Sequence, residues 1–407
     1  MLCQYSFENY KSFKNEALLD FCPDNISEHK DSLIVDKYTS ENFLPVAVLY
    51  GPNGSGKTTV LESLCALFNK ITSYLFIIKM PNDTKSQGII PISLSDKYHK
   101  FDKTCKKLPI KFDITFKIED MTFNYYIAII EDKIVEENLY YKKAKEKDAN
   151  IIFERISKKI NLGKILNGII ANKVNEQIPL LSYIAINYDI EIIKKIIKWM
   201  ISIPKINYDN PLYDINAFYP KNEKIKEQLC KLLYSMGINI QDIRAEKDSN
   251  GHIINVYMKH NINGKIIEIP FQEESAGTRK VFNLLFYIIN AIDNGLLTII
   301  DELDAKLHPQ LLQYIIELYT NPNINKKGAQ LIFTSHDIHT MSSDVLRRDE
   351  IWFCALNPQD ASAIYSLSSL KKPNGKKPRK DEVYGKQYLE GRYGADPYLK
   401  KILSWDN

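Results

Sequence analysis

The sequence contains no C-x-x-C pair. Its six cysteines (Cys3, Cys22, Cys65, Cys105, Cys230 and Cys354) are scattered over 407 residues. That spread argues against a zinc site or a disulfide framework and for a reducing, cytoplasmic home. No apolar run is read as long enough to span a bilayer, so no membrane role is expected. Asn9, Lys11, Lys14 and Glu16 interrupt the N-terminus, so no secretory leader is expected either. There is no sustained heptad, which excludes long coiled-coil arms, and no internal repeat. Neither sign of charge dominates: 54 basic residues stand against 50 acidic ones, a net charge of +4. Any contact with nucleic acid must therefore come from a local patch. The apolar fraction of 44% and charged fraction of 26% are ordinary for a folded chain. The length allows one large domain or two ordinary ones.

What is present is a phosphate-binding loop. Gly51-Pro52-Asn53-Gly54-Ser55-Gly56-Lys57-Thr58 fits the pattern G-x-x-x-x-G-K-[ST]. The apolar run Val46–Tyr50 before it reads as a buried strand. Lys57, Leu61, Leu64 and Phe68 after it have the spacing of a helix with one apolar face. In that context the glycines let backbone N–H groups approach phosphate oxygens, and the helix N-terminus favours negative charge. Lys57 should reach the β- and γ-phosphates, and the Thr58 hydroxyl, followed by Thr59, should serve bound Mg²⁺ and nucleotide. ATP and Mg²⁺ are the cofactors expected.

The remaining chain alternates in texture. Met1 to Phe21 reads as two short strands feeding the phosphate-loop sheet. Residues 110–118, 123–130 and 135–141 read as an antiparallel meander. From about Leu162 to Leu233 helical spacing dominates, broken by a loop from Pro204 to Pro220. Residues 253–258 and 265–269 read as a hairpin through Asn263-Gly264. A helix is expected over 281–293, and short buried strands at Leu296–Ile300 and Leu331–Thr334. The segment from Lys371 to Lys380 reads as a basic loop that could bind nucleic acid or an acidic partner. Tyr388, Tyr393 and Tyr398 read as exposed; they could form a partner surface or pack the tail onto the core. The resulting division is 1–160 (phosphate loop and β lobe), 161–245 (helical insertion), 246–370 (second part of the ATPase) and 371–407 (basic tail).

The second half supplies the other parts of a nucleotide hydrolase. Asp301-Glu302 follows the apolar strand. Asp301 there can hold Mg²⁺, and Glu302 can orient and deprotonate the attacking water. Glu274-Ser-Ala-Gly-Thr-Arg-Lys280 stands directly before a helix, and Thr334-Ser-His336-Asp ends the next strand. This ordered set resembles the ABC-type ATPases. Ser275, Gly277 and Arg279 match their signature, whereas Ala276 and Thr278 depart from it. Asp304 resembles the aspartate after the acidic pair, and His336 the switch histidine. The resemblance implies an α/β fold: a P-loop ATPase head with a mixed sheet, an antiparallel β lobe and a helical insertion. It also implies a dimer of heads or a larger homo-oligomer. Ser275 and Gly277 of one head would touch the γ-phosphate held by Lys57 of the other, and His336 would sense that phosphate. Gln87 is the candidate for the family's glutamine loop.

The strings Tyr5–Phe13, Asp301–Pro309 and Tyr388–Ala395 resemble bacterial ATPases of the OLD/RloA/AbiL-like, abortive-infection type, which include the ATPase subunit of PARIS. His308 in the second string reads as structural. No second acidic cluster of nuclease type is evident. The resemblance therefore implies a sensor or scaffold that holds a separately encoded effector protein, with a phage protein as its trigger. The alternative is a RecF/SMC-like DNA-repair ATPase, for which nucleic acid would be the partner.

Overall fold

A computed structural model describes residues 1–79, 92–171, 174–203, 205–206, 220, 222–305, 307–371 and 377–395. Gln87, Tyr398 and most of the 204–220 loop lie outside the described residues.

The chain begins with β1 (Leu2–Glu8) and β2 (Ala17–Asp20), then β3 (Ile34–Val35), β4 (Asn42–Phe43) and the phosphate-loop strand β5 (Val46–Tyr50). The long helix α1 (Lys57–Lys79) follows, then β6 (Ile110–Ile118), β7 (Met121–Ile130), β8 (Lys133–Lys143), β9 (Asn150–Ile156) and β10 (Lys159–Leu162). Next come α2 (Leu180–Asn187), α3 (Glu191–Ile201), β11 (Lys205–Ile206) and α4 (Glu223–Ser235). Strands β12 (Ile240–Lys247), β13 (Ile253–Ile262) and β14 (Lys265–Pro270) lead into α5 (Ala276–Asn294) and β15 (Leu297–Ile300). The last elements are α6 (Pro309–Thr320), β16 (Gln330–Thr334), β17 (Ile351–Leu356), β18 (Ser362–Ser366) and α7 (Tyr384–Leu389).

The fold is α/β with a mixed central sheet in the order β11-β15-β16-β5-β17-β18. The first five strands run parallel, and β18 closes the edge antiparallel to β17. Every residue of β5 is buried, as expected of a strand covered on both faces. The period of two divides it between two cores. Ala47 and Leu49 join Ile299, Ile332 and α1 on one side. Val46, Val48 and Tyr50 join α5, α6 and α7 on the other.

The hairpin β1–β2 departs from expectation. It pairs with β6 and so belongs to a seven-stranded antiparallel sheet, ordered β10-β9-β8-β7-β6-β1-β2, not to the sheet of the phosphate loop. The reason is its inward face: Tyr5, Phe7 and Leu19 share one core with Phe112, Ile114 and α1. The stretch 161–245, expected as one helical lobe, is divided between two cores. Helices α2 and α3 pack on α1 and the antiparallel sheet, where Trp199 stacks on Phe116 at 4.2 Å and 3°. Helix α4 packs with β12, β13 and α5 in a separate core. A fully buried carboxylate starts α2: Glu137 accepts from the N–H groups of Leu180 (2.6 Å) and Leu181 (3.0 Å). That satisfies donors a helix start leaves open.

Helix α1 also corrects the reading of the apolar runs. Residues Lys57–Ile77 are long and apolar enough to cross a membrane by composition, and 67% of that window is buried inside the protein. It is the helix that both sheets enclose. Tyr388 and Tyr393 are buried as well, at 7% and 2% exposure, with Tyr388 stacked on Phe353 at 5.6 Å. They pack the tail onto the core and present no surface.

Candidate nucleotide site

The site forms where the parallel strands end at their C-terminal tips, the usual place for a ligand in an open α/β sheet. Strand β5 delivers the phosphate loop, β15 delivers Asp301 and Glu302, and β16 delivers Thr334 and His336.

Three loop glycines have left-handed or related backbones: Gly51 at φ 151°, Gly54 at 79° and Gly56 at 102°. Two are also fixed by contact. A Cβ on Gly51 would lie 2.3 Å from the Cys354 carbonyl oxygen on β17. A Cβ on Gly56 would lie 2.7 Å from Ser362 Oγ and 2.8 Å from the Phe13 ring. The loop is thus clamped between β17, β18 and the turn after β1. Pro52 and Thr59 are half-buried, whereas Asn53, Gly54 and Thr58 face solvent. Lys57 is buried, and its Nζ donates to the carbonyls of Gly51 (2.8 Å) and Pro52 (3.1 Å). Burial holds its pKa below the ordinary lysine value, against the pull of Asp301, Glu302 and Asp304.

The acidic pair meets this loop directly. Thr58 Oγ1 donates to Asp301 Oδ1 at 3.3 Å, which joins residues 243 positions apart. Thr334 Oγ1 donates to the same Asp301 oxygen at 2.6 Å and accepts from the Glu302 N–H at 2.6 Å. Glu302 stands at φ 49°, a strained backbone for a non-glycine residue, with its carboxylate exposed. The His336 N–H donates to Asp304 Oδ2 at 3.1 Å, tying the two strand tips together. Burial and then the Lys57 charge push the His336 pKa below the ordinary histidine value, against the pull of Asp304, Glu302 and Asp301.

The donor set fits ATP and Mg²⁺. The glycine backbones form a cradle that side chains would fill, and the helix start behind it favours anions. Among the described residues, Ser55 Oγ and Asp304 Oδ1 are buried beside it without hydrogen-bond partners. Thr58 and Asp301 supply the oxygen donors a magnesium ion takes.

The signature is placed elsewhere. Ser275 caps α5, accepting from the Thr278 N–H at 3.0 Å, and Ser275, Ala276 and Gly277 are exposed. The Arg279 guanidinium donates to the Gln272 carbonyl, so the hydrogen bonds of both residues stay at this helix start. The sequence did not single out Thr334 as a site residue. Its signal is a polar residue ending the apolar run Leu331–Phe333, two residues before the switch histidine. His308 caps α6, accepting from the Gln310 N–H at 3.3 Å, a structural role. Past His336, Tyr50 and Thr340 share a hydrogen bond at 3.2 Å. Gly385 of α7 lies so near that a Cβ there would sit 2.8 Å from the Ile338 carbonyl oxygen.

Residues 46–342 match the family described as "AAA domain, putative AbiEii toxin, Type IV TA system". The chain belongs to this family. The matched span of the AAA domain runs from β5 past His336 and so contains both the phosphate loop and the acidic pair. No protein with a curated description matches the chain. Three solved structures resemble it. The SMC head domain from Thermotoga maritima shares 14% identity, with 90% of this chain and 98% of that one covered and a TM-score of 0.42. An Smc head bound to the C-terminal winged-helix domain of ScpA shares 12%, with 90% and 98% covered and a TM-score of 0.48. An Smc head with an extended coiled coil, bound to a ScpA domain derived from Pyrococcus furiosus, shares 11%, with 90% and 96% covered and a TM-score of 0.44. These likenesses reach no further than the general fold.

Proposed function

We propose that this chain hydrolyses ATP with Mg²⁺ and uses that cycle as the switch of a bacterial anti-phage, abortive-infection system of the OLD/RloA/AbiL-like kind. The observation that carries the hydrolysis reading is the meeting of Lys57, Thr58, Asp301, Thr334 and Glu302 at the tips of three adjacent strands. Lys57 and the loop N–H groups, from Gly51 to Thr59, bind and orient the phosphates. Thr58 and Asp301 hold Mg²⁺, which supplies charge neutralisation at the phosphates. Glu302 takes a proton from the attacking water through its carboxylate, and Thr334 fixes the backbone that aims it. His336, tied to Asp304 through its backbone N–H, would donate a hydrogen bond from its ring to the terminal phosphate.

The exposed Ser275 and Gly277 complete the site of a second copy, so the active form is a dimer of heads or a larger homo-oligomer. ATP would order that interface and hydrolysis would release it. The family's description, with its reference to a toxin of an abortive-infection type, supports the defence role. In this reading the chain is a cytoplasmic sensor or scaffold that holds a separately encoded effector until a phage protein triggers its release.

The test is native mass spectrometry of the chain expressed with its genomic neighbours, beside the Lys57→Ala and Glu302→Gln variants. A co-eluting partner on a multimer, trapped or altered by Glu302→Gln, supports the proposal. A lone monomer that dimerises only with ATP and DNA would overturn it in favour of a DNA-repair ATPase.

A further inference from the structure

The loop between α1 and β6 carries a ridge that the nucleotide site does not use. Residues 97–107 read Lys-Tyr-His-Lys-Phe-Asp-Lys-Thr-Cys-Lys-Lys, five lysines against one carboxylate. Phe101 in its middle is 77% exposed, the most exposed large apolar side chain among the described residues. Among the described residues its one ring contact is with His99, at 5.7 Å and 88°. His99 is itself buried, its N–H donating to Asn9 Oδ1 at 3.1 Å. The phenyl ring is therefore anchored at its base and open to solvent above.

The ridge is held in shape from below. Asn9 is 1% exposed, and its amide donates to the carbonyls of Cys105 (2.9 Å) and Leu108 (3.0 Å). Residues Lys103–Lys107 form a 3-10 helix capped by Asp102, which accepts from the Thr104 N–H at 2.9 Å. The Lys11 N–H donates to the Lys97 carbonyl at 2.6 Å. In that helix only Cys105 is buried. With three residues per turn, Lys103 lines up with Lys106, and Thr104 with Lys107. Lys97 is paired with Asp96 at 3.3 Å, and Asp102 is occupied by Lys14 at 2.7 Å. Lys100, Lys103, Lys106 and Lys107 are exposed, and no carboxylate of the described residues lies within ion-pair distance of them.

We propose that this ridge binds single-stranded nucleic acid. The four free ammonium groups take backbone phosphates, and an unpaired base stacks on Phe101. A duplex hides its base faces, so the exposed ring selects the single strand. In the proposed mode the lysines contact phosphate as point charges, and phosphate contacts carry no sequence information, so little sequence preference is expected. The loop backbone is already fixed from below, so binding has only the lysine and Phe101 side chains to order. This goes beyond the ATP switch and needs neither hydrolysis nor an effector.

The test is fluorescence anisotropy of a labelled oligothymidylate about 16 nucleotides long, with the full chain at a series of salt concentrations. Four phosphate contacts predict that the logarithm of the affinity falls with the logarithm of salt at a slope of about −3. The combined Lys100→Gln, Lys103→Gln, Lys106→Gln and Lys107→Gln variant should bring that slope close to zero. Phe101→Ala should weaken binding roughly 5- to 150-fold with the slope kept, the range that loss of one base stack gives. Circular dichroism of each variant should match the parent, since all five side chains are exposed. Absence of binding by the parent, or unchanged affinity in both variants, overturns the proposal. If poly-glutamate binds as tightly and Phe101→Ala is silent, the ridge reads charge alone, and the assignment passes to an acidic protein.

Discussion

The phosphate loop lies at the centre of a sheet, while Ser275 lies at the rim of another layer. Lys57 is buried, and the loop that carries it is pressed between β17, β18 and the turn after β1. Ser275 and Gly277 are exposed, on a helix whose first turns pack against α4, β12 and β13. One half of the machinery is built by packing and fits its ligand alone. The other is a helix start with Ser275, Ala276 and Gly277 exposed, which in the proposed dimer would serve a second copy. The two halves should therefore respond differently to the same kind of damage.

The largest effect should come from the half built around the phosphate loop. Glu302→Gln is expected to lower ATP turnover by about 10²–10⁴-fold while leaving ATP binding intact, because the carboxylate acts on water and not on phosphate. Lys57→Ala should lose the binding itself. Equilibrium binding of labelled ATP beside a phosphate-release assay separates the two. Gly277→Asp should come next, with turnover reduced by roughly 10²-fold, the scale of losing one aligned donor set. Binding of ATP to a single head should be unchanged; an equal loss of binding would break the contrast drawn above.

A pair of glycine substitutions sharpens it further. Gly51→Ala puts a Cβ 2.3 Å from the Cys354 carbonyl at φ 151°. It should destabilise the fold by about 2–4 kcal/mol. Gly277→Ala meets only Ser275 Oγ at 3.7 Å. In a helical position with no obstruction it should stabilise by about 0.5–1 kcal/mol. Thermal unfolding measures both.

The last effect is a pH dependence in the buried half. Glu350, whose carbonyl accepts the Val48 N–H at 2.8 Å, has its carboxyl pushed up to about 8 by burial. Because the folded value is raised, the stability from the protonated form is fully present below the ordinary carboxylate range. It is lost as pH rises through about 8. Glu350→Gln mimics the protonated form and should raise the melting temperature above pH 8, with little change at pH 4. An equal shift at both pH values would mean that charge is not the cause.

Much of the buried half is legible in the sequence because its chemistry needs fixed spacings. The loop Gly51–Thr58 can have few other uses, and the acidic pair after four apolar residues marks a strand tip. The wholly apolar Ile351–Leu356 is also a buried strand, but no motif attached to it marks it in the sequence. Helix α6 has apolar residues at Leu312, Ile315, Ile316 and Tyr319, a clear helical period that the string Asp301–Pro309 overshadowed. The partner of β1 was not legible. Alternating strands fit either sheet, and only the shared core with Phe112 and α1 decides. The Lys97–Lys107 ridge is not legible for another reason: its meaning lies in the exposure of Phe101, which no pattern of residue types reveals.

The missing side chain of Gly385 has a mechanical consequence. At that position the backbone of α7 rests on the Ile338 carbonyl, two residues beyond His336. No rotamer stands between them to absorb motion. If the terminal phosphate pulls the His336 loop by even a few tenths of an ångström, α7 has to travel with it. Helix and loop are then a lever and its load, and in the proposed ATP cycle α7 would report whether the pocket holds a triphosphate.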